Sequence, residues 1–193
     1  MIGYYELMKK ICVFTGASNG NHPSYVENAY KIGQMIASLN MGLVYGGGKM
    51  GLMGRVADGG IQAGGHVTGI IPRFLDNVEI SHDEVTKLHI LDTMHERKEM
   101  MYEVSDAFIV LPGGLGTLDE AMEIATWRQL GLHQKPVIIA NLNGYWSHLL
   151  AQLQHIIDTG FMHHSQNAHF EQIDNLEALA DRLQTIATET ASS

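Results

Sequence analysis

The sequence predicts an α/β fold in which a single doubly wound parallel sheet carries helices on both faces. Short apolar runs alternate along the whole chain with stretches of helical periodicity. Most of these runs are continuous apolar stretches and do not alternate cleanly, which is typical of parallel strands that are buried on both faces, although 85–91 alternates in part. Glycine-rich turns follow three of these runs, at 16–20, 46–54 and 113–116. Because ligands of such sheets bind beyond the carboxyl ends of the strands, the three turns are candidate ligand loops.

The first half of the chain supplies four predicted strands. They cover 11–15, 43–45, 66–71 and 85–91, with helices expected at about 24–39, 55–64 and 94–104. Ser24 and Glu27 have the spacing of a capping box, so the first helix is expected to begin at Ser24. Pro72 ends the third strand, and the polar stretch 73–84 is long enough to be a binding loop.

The second half centres on the apolar run 107–111, which Pro112 and two glycines close. Helical spacing begins at Leu118 and continues to about Leu130. A buried strand is expected at 137–141, a helix at 146–157, a short edge strand at 170–173 and an amphipathic helix at 176–186. No linker divides the chain, so residues 1–193 are interpreted as one Rossmann-like domain with flexible ends at 1–9 and 188–193.

Composition and charge limit the classes of partner. The net charge of −9 makes nucleic-acid backbone an unsuitable main partner, whereas a phosphorylated small molecule is compatible with a locally positive loop. Cys12 is the only cysteine, which excludes an intrachain disulfide and a cysteine metal cluster. No apolar run reaches the roughly 18 residues of a membrane span, and residues 1–10 lack an apolar signal core. A cytoplasmic protein without membrane contact is therefore expected.

The turn 113–116 is a candidate phosphate loop. A strand, a glycine loop and a helix start can bring backbone N–H groups and the positive end of the helix dipole to one point. The spacing differs from the Walker pattern, which needs a lysine, and from G-x-G-x-x-G. Thr117 and Glu120 also fit a capping box, in which Glu120 would only cap its own helix. The residues alone leave both interpretations open.

Residues 94–100 open a helix directly before the central strand. Arg97 is a candidate anion ligand because its planar guanidinium binds phosphate or carboxylate through two bonds. The alternative is a solvated helix face that Arg97 shares with Lys98 and its acidic neighbours. The start of this helix resembles H-E-x-x-H, but Glu99 occupies the position of the second histidine. The other histidines lack metal-ligand spacing, so no metal is expected.

Several of these motifs together are similar to those of the Lonely Guy (LOG) family. Residues 112–120 resemble its P-G-G-x-G-T-x-x-E signature, and 94–98 resemble its second hallmark. The stretches 16–20, 45–54 and 126–131 also follow the family pattern. The resemblance covers about residues 10–183. It implies hydrolysis of the N-glycosidic bond of AMP or N6-modified AMP to free base and ribose 5-phosphate, without a cofactor.

The resemblance also assigns roles to residues. It implies that Arg97 and Glu120 are the catalytic pair. Phosphate and substrate contacts would come from Ser18, Gly47, Glu79, Met94, Lys98, Gly113, Gly114, Leu115, Gly116, Thr117 and Thr126. Glu120 would stabilise positive charge on the sugar or activate water, and its place in the first helical turn would favour its ionised form. Leu115 and Asp119 depart from the commoner residues of the signature. A homodimer is implied as well, with helix faces at 94–104 and 118–130.

Two other functions remain open. One is an AMP or purine nucleotide nucleosidase without a role in cytokinin metabolism. The other is a non-catalytic nucleotide- or molybdenum-cofactor-binding module of a related fold. Members of the family are often labelled lysine decarboxylases, but nothing in the sequence marks a lysine for pyridoxal phosphate.

Overall fold

A computed structural model describes residues 8–76, 81–162 and 170–189. The strands are Lys10–Phe14 (β1), Gly42–Tyr45 (β2), Val67–Pro72 (β3), Lys87–Leu91 (β4), Ala107–Val110 (β5), Val137–Ala140 (β6) and Glu171–Ile173 (β7). The longer helices are Pro23–Ser38 (α1), Gly51–Gln62 (α2), Met94–Glu103 (α3), Leu115–Gln129 (α4), Ser147–Asp158 (α5) and Leu176–Thr188 (α6). Single turns cover Arg73–Leu75 and Leu142–Gly144. Within the described residues, no helix has the length and hydropathy of a membrane span.

The strands form one seven-stranded sheet in the order β4-β3-β2-β1-β5-β6-β7, and every neighbouring pair is parallel. Alternate residues of β1 show why its sequence is apolar from Ile11 onward. Ile11 and Val13 pack with residues of α1, α2 and α6, whereas Cys12 and Phe14 pack with residues of α3 and α4 on the opposite face. The predicted doubly wound sheet is confirmed, because both faces are covered by helices.

The strand order reverses at β1, which lies between β2 and β5. The turns that leave β1 and β5 are joined by hydrogen bonds to a single carbonyl. The Thr15 hydroxyl donates to the Pro112 carbonyl at 2.9 Å, and the Gly16 N–H donates to the same oxygen at 3.1 Å. The two glycine turns therefore lie side by side at the switch point of the sheet, where doubly wound proteins bind ligands.

The second glycine loop is fixed against the first. Gly51 begins α2 at φ +62°, and a Cβ there would lie 2.2 Å from the Ala17 carbonyl carbon. The Met53 N–H donates to the Gly16 carbonyl at 3.2 Å. Only glycine allows this approach, so the start of α2 forms one wall beside the turn after β1.

Two expected helix starts are wrong in detail, since α1 begins at Pro23 and not at Ser24, and α2 begins at Gly51 and not near 55. The His22 ring, not the Ser24 hydroxyl, caps α1, since its nitrogen accepts from the Ser24 N–H. Helix α3 instead begins with a capping box between Thr93 and Glu96, whose T-x-x-E spacing was visible in the sequence. Strand β4 begins two residues later than expected, at Lys87. The expected flexible ends fall mostly on 1–7 and 190–193, outside the described residues, and α6 extends to Thr188.

Candidate active site

A cleft of about 520 Å³ opens at the switch point. Its volume lies within the range of roughly 300–1,000 Å³ that small-molecule sites occupy. The walls come from the turn after β1, the starts of α1 and α2, the β5–α4 loop, the β6–α5 connection and one side chain of α3. The lining residues are Thr15, Gly16, Ala17, Ser18, Gly20, Asn21, Tyr25, Leu52, Met53, Arg97, Pro112, Gly113, Gly114, Gly116, Thr117, Glu120 and Tyr145.

The amino terminus of α4 faces this cleft. Gly114 is the N-cap, and no side chain caps the helix. A Cβ on Gly114 or Gly116 would meet no atom within 4 Å, so space lies open beside the first turn. On Gly113, by contrast, a Cβ would lie 2.1 Å from the Thr117 hydroxyl oxygen, which packs directly on the loop. An anion in this space would meet backbone N–H groups and the positive end of the helix dipole.

The position of α4 overturns the capping-box interpretation of Glu120. Because the helix begins at Leu115 and not at Leu118, Thr117 is its third residue and Glu120 lies in the second turn. Glu120 is 6% exposed, and its Oε1 lies 3.2 Å from Nη2 of Arg97. The expected support from the dipole is wrong too, since that effect fades after the first turn. The partner of the Glu120 charge is the Arg97 guanidinium.

Arg97 is buried, so the solvated-face interpretation of this residue is wrong. Its Nε donates to the Ile70 carbonyl at 3.1 Å, and Nη1 lies 3.8 Å from Sδ of Met94. A Cβ on Gly46 would lie 2.2 Å from Nη2 of Arg97, so the guanidinium needs a glycine directly after β2. These contacts aim Nη2 at Glu120 and fix both groups on the floor of the cleft.

Not every residue that the resemblance assigned to the site lines this cleft. The lining includes Ser18, Arg97, Gly113, Gly114, Gly116, Thr117 and Glu120. Leu115 is 85% exposed beside it, and Met94 reaches the site only through its contact with Arg97. Gly47, at φ +80°, does not line the cleft, and a Cβ there would lie 3.0 Å from Cβ of Ile71. Glu79 lies outside the described residues.

Lys98 and Thr126 lie on other surfaces. The ammonium of Lys98 binds Asp119 at 3.1 Å and Glu123 at 3.0 Å. Partial burial lowers the pKa of Lys98, but its bonds to these two carboxylates outweigh that effect and leave the pKa above the ordinary value. The Thr126 hydroxyl donates to the Met122 carbonyl and borders a separate apolar depression between α4 and α5.

Sequence reasoning missed the two tyrosines of the cleft. Tyr25 and Tyr145 form part of its wall, with ring centroids 5.6 Å apart. Tyr145 follows β6 and so emerges at the same edge of the sheet as the glycine loops. The position of Tyr145 soon after a predicted strand could have pointed to the site. That inference also requires knowing that β6 lies next to β5 in the sheet.

The chemistry available in the site is that of a buried carboxylate with a guanidinium partner. Cys12 is fully buried beneath it, and burial, followed by the charge of Glu120, raises the pKa of the thiol well above its ordinary value. The thiol is therefore protonated at neutral pH and unsuited to act as a nucleophile. Across the described ranges, no three His, Cys, Asp or Glu side chains are placed to hold a metal ion.

The fold and the cleft define a Rossmann-like α/β protein with an uncapped helix terminus beside a buried Arg–Glu pair. Sequence comparison is specific about the family. LOG5, a cytokinin riboside 5′-monophosphate phosphoribohydrolase of Arabidopsis thaliana, is 43% identical over 176 residues, which cover 91% of this chain and 77% of that protein. LOG1 of the same plant is 46% identical over 154 residues, covering 80% and 72%. The chain belongs to the LOG family, as the resemblance predicted.

Two further comparisons agree with this assignment. A family model described as "Possible lysine decarboxylase" matches residues 53–183. The probable cytokinin riboside 5′-monophosphate phosphoribohydrolase LOGL9 of Oryza sativa subsp. japonica is 40% identical over 176 residues, or 91% of this chain and 78% of that protein. The decarboxylase description finds no support in the site, because none of the described residues that line the cleft is a lysine able to form a Schiff base.

Solved structures share the fold. The molybdenum cofactor binding protein from Rippkaea orientalis superposes with a TM-score of 0.70 at 25% identity, covering 94% of this chain and 98% of that one. The molybdenum cofactor carrier protein of Chlamydomonas reinhardtii gives a TM-score of 0.71 at 17% identity, covering 94% and 99%. The second likeness shows the fold alone.

Proposed function

We propose that this protein hydrolyses the N-glycosidic bond of adenosine 5′-monophosphates, N6-modified ones included, to free base and ribose 5-phosphate. The observation that carries the proposal is the buried Arg97–Glu120 pair, 3.2 Å apart, on the floor of a cleft bordered by the uncapped start of α4. The family relatives named as cytokinin riboside 5′-monophosphate phosphoribohydrolases support it at 40–46% identity.

The two halves of the site suit the two ends of such a substrate. The 5′-phosphate would bind at the first turn of α4, where Gly114, Gly116 and Thr117 face the cleft. This anchoring would place the anomeric carbon near Glu120, five residues further along the helix than Leu115. Positioning of this kind can contribute about 7–11 kcal/mol to lowering a barrier.

Glu120 would act on the sugar. As the C1′–N9 bond breaks, its electron pair leaves with the base and positive charge develops on the ribose ring. The carboxylate stabilises that charge and orients the water whose oxygen bonds to C1′. The water gives up one proton and the base gains one, so the reaction balances as nucleotide plus water to base plus ribose 5-phosphate. Arg97 holds the carboxylate in place.

The test is incubation of the purified protein with AMP and with isopentenyl-AMP, followed by chromatography of free base and ribose 5-phosphate. We expect both products in equal amounts, and the faster substrate identifies the preferred base. Nucleotide that stays bound and intact in both reactions would contradict hydrolysis and favour the alternative of a non-catalytic binding module. Faster turnover of plain AMP would favour a purine nucleotide nucleosidase without a cytokinin role.

The oligomeric state, the other partners and the cellular location are also proposals. We infer a homodimer that uses α3 and α4, where Leu115 and Leu130 are 85% and 68% exposed. A nucleic-acid partner is not proposed, because the net charge is −9. A single domain over 1–193 and a cytoplasmic location stay predictions.

A further inference from the structure

The β6–α5 connection brings a tyrosine hydroxyl onto the glycine loop of the cleft. The Tyr145 hydroxyl donates to the Gly113 carbonyl at 2.7 Å. Tyr145 follows the turn Leu142–Gly144, and both Tyr145 and Gly113 line the cleft. The bond therefore connects a residue beyond β6 to the loop beyond β5.

The peptide between Gly113 and Gly114 is crowded at Gly113 and open at Gly114. The carbonyl before it, on Pro112, is held by Thr15 and Gly16. Gly114 has φ −96° and ψ −152°, and the space around its Cβ position is open to 4 Å. Two adjacent glycines rotate more freely than any other pair. The hydrogen bond from the Tyr145 hydroxyl to the Gly113 carbonyl therefore restrains the rotation of a peptide that is open on its Gly114 side.

The direction of one carbonyl fixes the direction of the next N–H. A trans peptide is planar, so the Gly114 N–H points opposite to the Gly113 carbonyl oxygen. Gly114 is the N-cap of α4, whose first turn is the candidate anion site. When Tyr145 holds the Gly113 oxygen, the orientation of a donor at that site is set before a ligand arrives.

The ring that carries the hydroxyl is itself held. Tyr25 packs edge-on against it at 5.6 Å, and Trp146 does so at 4.7 Å. The backbone N–H of Trp146 donates to the side chain of Asn141 at 2.8 Å, and the amide of Asn141 donates to Asp174 at 3.1 Å. These contacts survive removal of the hydroxyl alone, so Tyr145→Phe isolates the bond to Gly113.

We infer that Tyr145 is a positioning residue, which orients the Gly113–Gly114 peptide so that the β5–α4 loop binds the phosphate of a phosphate ester. The inference rests on the proposed function for the identity of the substrate, but the role itself is a binding property. Loss of the hydroxyl lowers the affinity for ligands that carry a phosphate. The affinity for phosphate-free ligands is unaffected, because the rings of Tyr25 and residue 145 still line the cleft.

The experiment compares wild type, Tyr145→Phe and the matched control Tyr102→Phe by calorimetry with ribose 5-phosphate and with adenosine. The Tyr102 hydroxyl also reaches a backbone carbonyl, that of Leu132 at 3.5 Å, but it lies outside the cleft. In Tyr145→Phe we expect the Kd for ribose 5-phosphate to rise about tenfold, as loss of one such bond implies. The Kd for adenosine and both Kd values of Tyr102→Phe stay unchanged. With AMP, KM rises by a similar factor and kcat is retained.

An unchanged Kd for ribose 5-phosphate, or an equal loss for both ligands, overturns the positioning role. A wild type that binds no ribose 5-phosphate overturns it as well. If Tyr145→Phe does not fold, the wild type is titrated with inorganic phosphate after glycine-selective ¹⁵N labelling. A shift of the Gly114 amide resonance supports the inference, and its absence refutes it. A wild type that binds ribose 5-phosphate but does not cleave AMP refutes the proposed function alone.

Discussion

At the scale of the residue, the site depends on two charges that are both removed from water. Arg97 and Glu120 are each 6% exposed. Removal of one partner from a buried pair leaves the other charge uncompensated, which costs roughly 3–5 kcal/mol of stability. Sequence motifs identified both residues, but not their contact, because Arg97 and Glu120 lie on different helices with β5 between them.

Replacement of Glu120 by glutamine tests its proposed role. We expect kcat for AMP to fall by about 10²–10³-fold, because the amide keeps the shape but cannot balance positive charge on the sugar. The rate is measured by release of free base, with the melting temperature followed in parallel.

The control for Glu120→Gln is Glu27→Gln, the same change at an exposed carboxylate that pairs with Lys31 at 2.6 Å on α1. It should retain full activity. If the activity of Glu120→Gln stays within a factor of three of wild type, the catalytic role of Glu120 is refuted and its role is structural.

Gly46→Ala tests whether the position of the Arg97 guanidinium matters, without changing the charge of Arg97 or of Glu120. A methyl group at this position would lie 2.2 Å from Nη2 of Arg97, so the guanidinium must move away from Glu120. We expect activity to fall at least tenfold, since small misplacements in an active site are costly. Steady-state kinetics check this, and a variant with wild-type kcat and KM would show that the guanidinium position is not critical.

At the scale of the element, the sequence predicted that helices are present but did not reliably predict which residue caps each one. Thr93 caps α3 through a reciprocal box with Glu96, whereas the similar spacing at Ser24 and Thr117 forms no cap. The T-x-x-E pattern is local, but the residue that becomes the N-cap depends on where the preceding turn leaves the sheet. At α4, the Pro112 carbonyl is tied to the turn after β1, and the helix begins directly beyond the loop.

Thr93→Ala should destabilise the protein by about 1 kcal/mol, because α3 loses its side-chain cap. Urea unfolding measures this free energy. Thr185→Ala is the matched control, since that hydroxyl only bonds the Asp181 carbonyl within α6. Alanine is the better helix former there, so the control should be neutral or slightly stabilising. Equal losses in both variants would contradict the capping role.

At the scale of the whole molecule, the sheet is held between two apolar layers, and buried polar groups join distant elements. His133 is 7% exposed. One of its ring nitrogens lies 3.0 Å from the Ile124 carbonyl, and the other accepts from the Lys135 N–H at 3.1 Å. The neutral ring satisfies both contacts. Burial lowers the pKa of His133; the bond to the Ile124 carbonyl opposes this effect, and the charges of Lys135 and Arg128 add to it.

This lowered pKa predicts an acid-sensitive fold. The folded state disfavours protonation of His133, so its contribution to stability is present above the unfolded pKa near 6.5 and is lost as pH falls below it. His66 and His89, whose pKa values are also lowered by burial, act in the same direction. We expect a smaller free energy of unfolding at pH 5 than at pH 8, measured in urea. His133→Asn should show a weaker pH dependence, and an unchanged dependence would exclude His133 as a source.

The proposed homodimer belongs to this scale as well. Sedimentation should give a mass twice the 21.3 kDa of one chain. Leu130→Glu places a charge on an exposed apolar position next to the end of α4 and should shift the protein toward monomer. Ile90→Glu, the same type of change on edge strand β4, should leave the mass unchanged. A monomeric wild type would refute the dimer.

The sequence by itself determined the parallel sheet, the positions of the glycine loops and the two motifs that identify the family. These features follow from periodicity and from glycines at strand ends, which are properties of neighbouring residues. Only the tertiary structure decided that Arg97 meets Glu120, that α4 starts uncapped and that Tyr145 holds Gly113. Those contacts depend on which strands lie side by side, and strand order is a property of the packed sheet that no local pattern encodes.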